Sequence, residues 1–197
     1  MPSDRLILAF DTSAAHCAAA LLCGDTVIAT RYEEMARGQA ERLMPLLEDL
    51  LAEAGKSWAD LDAIGVGIGP GNFTGIRISV SAARGLALAL NIPAVGVSLF
   101  DTTMRLSNWA QTAVPAPRGQ VYFFDPDKMS DPVLCEATPD GAVALSTDHT
   151  PADHTVMMAR IGAQRLDQGR DIPRPAPLYL RAADAAPASD PPPVILP

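Results

Sequence analysis

A glycine-rich stretch, GIGPGNFTGIRI at 67–78, constrains this chain more than any other feature of its sequence. An apolar run at 63–66 precedes it and a helix-like pattern follows, so we predict a strand, a tight turn and a helix start. Glycine lets the backbone take a positive φ or approach another group closely, and the first amides of a helix have no partner within it. The stretch therefore predicts either an anion-binding loop or a structural turn.

The candidate anion-binding residues lie in this loop and in a turn near the N-terminus. That turn follows an apolar run at 6–10, which predicts a buried first strand ending in a carboxylate and two hydroxyls. The loop lacks the GK[ST] of a Walker A motif and the acidic residue that follows a Rossmann glycine motif. A turn or a helix cap is the alternative role of the aspartate. The candidates are Asp11, Thr12, Ser13, Gly69, Gly71, Asn72, Phe73, Thr74, Gly75 and Arg77.

A leucine-rich segment at 41–54 predicts the first long helix. Met44 widens its apolar stripe to about 160°, beyond the roughly 100° that packing on one sheet requires. A helix sunk deeply in its own core and a helix whose edge meets another chain both explain that width. The residues that we expect at a partner-binding edge are Leu43, Met44, Leu47 and Leu51.

The helix predicted at 76–90 is built almost entirely of small and aliphatic residues. Ser81, Gly85 and Ala89 lie four residues apart and form a groove that allows another helix to approach closely. That second helix is either the leucine-rich one of the same lobe or a helix of another chain, across a symmetric or pseudo-symmetric interface. We therefore include all three small residues among the partner-binding candidates.

The composition narrows the classes of function. The 197-residue chain suits one domain or two small lobes, with an ordinary 48% of hydrophobic residues. Its net charge of −8 argues against a main nucleic-acid binder, because phosphate neutralisation needs a dense basic surface. The apolar runs are too short for a signal peptide or a membrane span. Three cysteines without CxxC spacing indicate reduced thiols in a cytoplasmic protein, and three scattered histidines do not form a metal set.

The hydrophobic patterning that predicts helices and strands becomes weaker beyond about residue 111. A late helix is predicted to be capped by Asp153. From residue 173 onward eight of 25 residues are proline, which predicts an extended tail that either wraps a surface or is loose. The remaining predicted elements are a hairpin of strands at 17–22 and 26–32, which forms an antiparallel unit with the first strand, strands at 94–97, 120–124 and 133–137, and helices at 99–110 and 153–167.

Four motifs together resemble a known family. ILAFDTS near the N-terminus, ERLMPLLEDLL in the first long helix, GIGPGNFTGIRI with the helix after it, and GVS at 96–98 closely resemble the TsaB (YeaZ) family. The match is dense over the first lobe-sized part of the chain and returns at GQVYF (119–123) and PLYLR (177–181). This family, once labelled glycoprotease-like, provides the dimerisation subunit of the bacterial tRNA threonylcarbamoyladenosine complex.

The resemblance implies an α/β chain with an actin-like fold, in which two ribonuclease-H-like lobes have mixed, five-stranded-type sheets flanked by helices. The two turns would be relatives of phosphate loops. We expect a first lobe at 1–110 with the glycine loop and the partner-binding helices, a second lobe at 111–180, and a proline-rich tail at 181–197. The segment between GQVYF and PLYLR is short for this family, so we expect a reduced second lobe.

The resemblance also implies a non-catalytic subunit. Such a subunit binds the catalytic paralogue TsaD through helices of its first lobe, and the ATPase TsaE joins the pair. TsaD then transfers threonylcarbamoyl to adenosine 37 of ANN-decoding tRNAs. The implied partners are a TsaD-like paralogue, a TsaE-like ATPase, a second copy of the chain when it is alone, and tRNA only through the complex. No cofactor and no membrane contact are expected.

Two departures from a catalytic pattern favour that role. The catalytic paralogue carries a metal-binding histidine pair on its first long helix, whereas the matching stretch at 36–42 has no histidine. An actin-like enzyme places an aspartate at a strand end where residues 113–118 read AVPAPR. We also expect Pro115 and Pro117 to spoil that strand by removing ladder donors.

Two other functions stay open. An ATP-using small-molecule kinase would use both phosphate-type turns, but it needs an acidic base and Mg²⁺ partners from two lobes. The second lobe offers only Asp125 and Asp127, in a turn. A peptidase is suggested only by the old family label, since no HExxH, Ser/His/Asp or Cys/His arrangement is visible.

Overall fold

The computed structural model describes residues 4–169 and 172–180, and the tail predicted at 181–197 lies outside the described residues. Helices and two mixed sheets form an α/β structure, which confirms the predicted class. The strands are β1 (Leu6–Asp11), β2 (His16–Cys23), β3 (Thr26–Glu34), β4 (Ala63–Gly67), β5 (Ala94–Val97), β6 (Thr112–Pro115), β7 (Val121–Phe124), β8 (Val133–Cys135) and β9 (Ala144–Leu145). The helices are α1 (Gln39–Glu53), α2 (Phe73–Leu90), α3 (Leu99–Ser107) and α4 (Pro151–Asp167).

The first sheet has the strand order β3-β2-β1-β4-β5. Strands β1, β2 and β3 are antiparallel neighbours, whereas β4 and β5 continue the sheet in parallel with β1. Parallel strands need crossover connections, and α2 supplies the one between β4 and β5. The predicted antiparallel unit at the N-terminus is confirmed, and the whole sheet has the arrangement of a ribonuclease-H-like lobe.

Helices cover both faces of this sheet, so its central strands are apolar on both sides. Leu8 and Phe10 of β1 pack in the core on the α1 side, whereas Ile7 and Ala9 pack on the α4 side. Met158 of α4 is fully buried in that second core. Helix α4 therefore completes the first lobe, although it follows the second-lobe strands in sequence. The predicted assignment of all of residues 111–180 to the second lobe is therefore wrong for α4, and the boundary at residue 110 stays a prediction.

The N-terminus of α4 differs from its prediction. The N-cap is Thr150, whose hydroxyl accepts a hydrogen bond from the Asp153 amide (3.1 Å). Asp153 lies at the third helical position, and its carboxylate accepts from the Thr150 amide (2.9 Å). This reciprocal pair is a capping box, so the predicted cap at Asp153 is wrong by one turn.

The second sheet has the order β8-β7-β6-β9, with β6 antiparallel to β7 and parallel to β9. Its core is small and is formed by Phe100 of α3, Val114 of β6 and Tyr122 of β7. Leu178 and Leu180 of the C-terminal segment pack against these residues. The C-terminal segment therefore contacts the core of the second sheet.

The prediction that proline would spoil the strand before GQVYF is wrong. Pro115 is the last residue of β6 and pairs with Val121 of β7. Strand β9 pairs only with Thr112 and Ala113, so the missing amide hydrogen of Pro115 removes no bond to β9. The Ala116 amide then closes the connection to β7 by donating to the Gln120 carbonyl (2.8 Å).

Residues 172–180 run along the molecule without helix or strand. The Leu178 amide donates to the carbonyl of Ile68 (2.8 Å), just before the glycine loop. Pro175 is buried, and its Cα would lie 3.5 Å from a Cβ placed on Gly96 of β5. Of the two alternatives for the proline-rich region, wrapping a surface therefore holds for these residues.

Candidate functional site

The aspartate turn at the carboxyl end of β1 is buried. Asp11 is 3% exposed, and its Oδ2 accepts hydrogen bonds from the amide (3.1 Å) and the hydroxyl (2.8 Å) of Ser13. The same oxygen lies 3.0 Å from Nε2 of His16, a neighbour that sequence reasoning missed. The other oxygen, Oδ1, is buried without a hydrogen-bond partner among the described residues. The carboxylate thus holds its own turn in shape through one oxygen.

The glycine loop packs directly on this turn. A Cβ on Gly71 would lie 2.3 Å from the carbonyl oxygen of Ser13, and one on Gly75 would lie 2.0 Å from that of Thr12. The Asn72 amide donates to the Ser13 carbonyl (2.6 Å), and the Thr12 hydroxyl donates to the Gly75 carbonyl (2.7 Å). Backbone contact of this closeness requires glycine at both positions.

Helix α2 starts at this loop, as predicted from the sequence. Asn72 is its N-cap, and the Asn72 side chain accepts from the Gly75 amide (2.9 Å). Gly69 takes a φ of +95°, which a residue with a side chain rarely adopts. Phe73 and Thr74 form the first turn, where helix amides carry partial positive charge. The fold therefore brings both predicted turns together at one sheet edge, and their binding of a nucleotide stays a prediction.

An aromatic clamp holds Arg77 one turn into α2. The guanidinium carbon lies 3.8 Å from the centroid of the Phe73 ring, and Nε donates to the Tyr179 hydroxyl (2.7 Å). The Phe73 and Tyr179 rings also contact each other, with centroids 4.7 Å apart. Sequence reasoning noted PLYLR as a family motif but missed this contact, because 102 residues separate Tyr179 from Arg77.

Helix α1 corrects part of the predicted partner surface. Leu43, Leu47 and Leu51 are 1%, 0% and 2% exposed, and all three pack in the core of the first lobe. These three side chains expose almost no surface that another chain could contact while the lobe is folded. The wide apolar stripe is therefore explained by a deeply sunk helix. Met44 is half-buried beside the same core, so it is the member of the predicted edge that reaches the surface.

Helix α2 presents the other predicted partner residues at the surface. Ser81, Gly85 and Ala89 are exposed, and a Cβ on Gly85 would meet nothing within 4 Å. Leu88, which sequence reasoning missed, is 84% exposed. The helix has a mean hydropathy of 1.2, but only 28% of it is buried. It is long and apolar enough to cross a membrane, although one such helix is a weak indication; an exposed apolar face more generally marks a contact surface.

In the acidic turn of the second lobe, the buried carboxylate of Asp125 is already bound by neighbouring residues of the same chain. Asp125 is 2% exposed, and its carboxylate accepts from the Gln111 side chain (2.8 Å) and from the Asp127 amide (3.2 Å). Lys128 Nζ lies 3.2 Å away. The hydrogen bond from Gln111, followed by Lys128 and the Asp127 amide, lowers the pKa of Asp125 below its ordinary value. Within residues 4–169 and 172–180, no group of three or more His, Cys, Asp or Glu side chains is placed to hold a metal ion.

The family model described as "TsaD: tRNA N6-adenosine threonylcarbamoyltransferase" matches residues 29–129, about half of the chain. This range contains α1, the glycine loop and α2, together with the first strands of the second sheet. The matched region therefore covers both the buried helix α1 and the partly exposed helix α2.

Two relatives are similar in sequence over different lengths. The tRNA threonylcarbamoyladenosine biosynthesis protein TsaB of Escherichia coli is 38% identical over 124 residues, which cover 59% of this chain and 53% of that protein. The chain thus aligns with about half the length of this curated relative. An uncharacterised protein of Mycobacterium tuberculosis is 33% identical over 198 residues, covering 92% of this chain and 94% of that protein.

One solved structure matches over nearly the whole chain. YeaZ from Pseudomonas aeruginosa superposes with a TM-score of 0.70 at 25% identity, covering 89% of this chain and 100% of the other. The structural likeness therefore covers more of the chain than the 59% that aligns in sequence with TsaB of Escherichia coli. The chain therefore belongs to the family that the TsaD model describes and, within it, to the TsaB (YeaZ) proteins.

Proposed function

We propose that this chain is a non-catalytic subunit in the biosynthesis of tRNA threonylcarbamoyladenosine, in which it binds a TsaD-like catalytic paralogue. The naming of its TsaB relatives supports this pathway. The paralogue would transfer threonylcarbamoyl to adenosine 37 of ANN-decoding tRNAs, and a TsaE-like ATPase would join the pair. Contact with tRNA would occur only through the complex, in the cytoplasm, and the chain itself would need no cofactor.

The observation that carries this proposal is the exposed face of α2. Small residues at 81, 85 and 89 leave a shallow surface along the helix, and Leu88 stands beside it with 84% of its area exposed. Small residues let two helix backbones approach, and burying a leucine side chain contributes roughly 2 kcal/mol. A helix of another chain would therefore gain both close packing and apolar burial on this face.

The test is to fill the α2 surface with Gly85→Trp. A Cβ at Gly85 has free space, so the lobe should fold, but the indole should keep a partner helix away. We expect the dissociation constant for the purified TsaD-like paralogue to rise at least about 30-fold in isothermal titration calorimetry. Ala137→Trp, at an exposed position of the second lobe, is the matched control and should bind as the unaltered chain does.

The role in the pathway needs a separate measurement. Reconstituted threonylcarbamoylation of tRNA should require the chain together with the paralogue and the ATPase, and it should fall in proportion to pairing when Gly85→Trp replaces the unaltered chain. Full modification in the absence of the chain would contradict the proposed role. A paralogue that binds Gly85→Trp with undiminished affinity would contradict the proposed surface.

A further inference from the structure

A groove runs along α2, between that helix and the C-terminal segment at 172–179. One part of it is a pocket of about 560 Å³ lined by Arg77, Ser81 and Arg84 on the helix and by Tyr179 on the segment. The neighbouring part, about 680 Å³, shares Arg84 and continues past Leu88. The two pockets thus adjoin at Arg84 beside the exposed face of the helix, and together they are called the groove.

The charge of this groove is opposite to that of the chain. The chain has 23 acidic and 15 basic residues, yet the groove contains three arginines, Arg77, Arg84 and Arg174. None of the described residues that line its two pockets is acidic. Arginine is enriched in interface cores because its planar guanidinium can bind a carboxylate through two hydrogen bonds. The groove thus combines apolar surface with concentrated positive charge.

One of these arginines is already positioned. Arg77 is stacked on Phe73 and hydrogen-bonded to Tyr179, so it loses less side-chain freedom on binding than a mobile arginine would. Arg84 lies two turns further along α2, a rise of about 10 Å at 1.5 Å per residue. Two carboxylates seven residues apart on one helix have the same separation.

We propose that this groove receives an amphipathic helix of the partner protein, which presents apolar side chains to Leu88 and carboxylates to Arg77 and Arg84. The inference rests on the proposed function and adds the chemistry of the partner's surface. Burial of apolar area holds the two helices together, and the two ion pairs fix their register and exclude uncharged or basic competitors.

A second copy of this chain fits the groove less well. In a two-fold contact between identical grooves, the arginines of one copy would face a lining whose described residues include arginines but no acidic side chain. Like charges facing each other in a contact reduce affinity, whereas a partner with carboxylates gains from the same positions. The groove therefore favours pairing with a different chain over self-association.

The experiment compares Arg84→Gln with Arg160→Gln, an exposed arginine on α4, in binding to the purified TsaD-like paralogue at two salt concentrations. We expect the dissociation constant of Arg84→Gln to rise about 10- to 30-fold at low salt, with a weaker dependence on salt, because an ion pair has been lost. Arg160→Gln should match the unaltered chain in both respects. Sedimentation should show self-association of Arg84→Gln that is equal to or stronger than that of the unaltered chain.

Three results would overturn the inference. The first is unchanged binding by Arg84→Gln while Gly85→Trp still abolishes pairing, which would leave the proposed function in place without the acidic helix. The second is tighter binding of the paralogue by Arg84→Gln. That result would mean that Arg84 holds acidic residues of the same chain in the groove, where they compete with the partner. The third is weaker self-association with unchanged partner binding, which would place a second copy there. If Gly85→Trp also binds normally, the α2 surface proposed for the partner fails as well, whereas the proposed function itself fails if tRNA is fully modified in the absence of the chain.

Discussion

Helices α1 and α2 pack against the same hydrophobic core of the first lobe and both have long apolar patterns, yet these patterns serve different purposes. In α1, all five leucines between Leu43 and Leu51 are at most 2% exposed. In α2, Ile76, Val80 and Ala83 are buried, whereas Leu88 is 84% exposed. Helix α1 therefore buries its leucines in the core of its own lobe, whereas α2 leaves some of its apolar residues exposed at the surface.

The difference shows how the same hydrophobic pattern can mark either a core or an interface. Helix α1 lies across the sheet and shares its core with β1 and β2, so a wide apolar stripe is needed to fill the space. Helix α2 is the crossover between β4 and the edge strand β5, and a narrower apolar stripe is enough to pack it against the sheet. The remaining small residues of α2 are then available to another chain.

The largest expected effect comes from placing a charge on each helix. Leu47→Asp should reduce the free energy of unfolding by more than about 4 kcal/mol, because it buries an unpaired carboxylate and leaves a cavity. Leu88→Asp, the matched change on α2, should alter it by less than about 0.5 kcal/mol. Urea denaturation followed by circular dichroism measures both. Similar losses in the two variants would remove the distinction between the helices.

A pair of glycines in α2 sharpens the comparison within one helix. Gly75→Ala should destabilise the lobe by roughly 1–3 kcal/mol, because the new methyl would lie 2.0 Å from the Thr12 carbonyl oxygen and the loop would have to move. Gly85→Ala should stabilise it by roughly 0.5–1 kcal/mol, since the site is open and alanine favours helix. Thermal and urea unfolding of both variants show whether each substitution raises or lowers the free energy of unfolding. Stabilisation by Gly75→Ala would mean that the loop does not pack on the aspartate turn as described.

The smallest effect concerns the arginines of the two helices. Arg42 of α1 binds Glu33 of β3 through two hydrogen bonds of 2.8 and 2.6 Å, and this contact lowers the pKa of Glu33. Because the folded-state pKa lies below the ordinary value near 4.5, the contribution is present above that pH and is lost as the pH falls through the folded-state pKa. Arg42→Gln should therefore lower the melting temperature at pH 6 and lower it less at pH 3.5.

Arg84→Gln is the control for this pH dependence. Among the described residues Arg84 forms no salt bridge, so its variant should follow the melting curve of the unaltered protein at every pH. Melting temperatures measured by calorimetry between pH 3.5 and pH 6 decide the point. If Arg42→Gln and Arg84→Gln shift the curve alike, the salt bridge at Arg42 does not contribute as proposed.

Much of the first lobe follows from local sequence. The strand at Leu6–Asp11, the hairpin after it and the strand at Ala94–Val97 lie where alternating and apolar runs predict them. Helix α2 follows from its cap and its glycine loop. Errors arise where local rules are overridden, as at Pro115, which is tolerated because the neighbouring strand ends before it.

The sequence by itself determined the helices, the two turns and the family resemblance, because each depends on residues close together along the chain. Only the tertiary structure decided which apolar faces are buried, since burial depends on elements distant in sequence. It placed α4 on the first sheet, which helps to bury that sheet's second face. It also set Tyr179 against Arg77 and left Leu88 exposed, so α2 rather than α1 offers the exposed apolar surface that the proposed pairing needs.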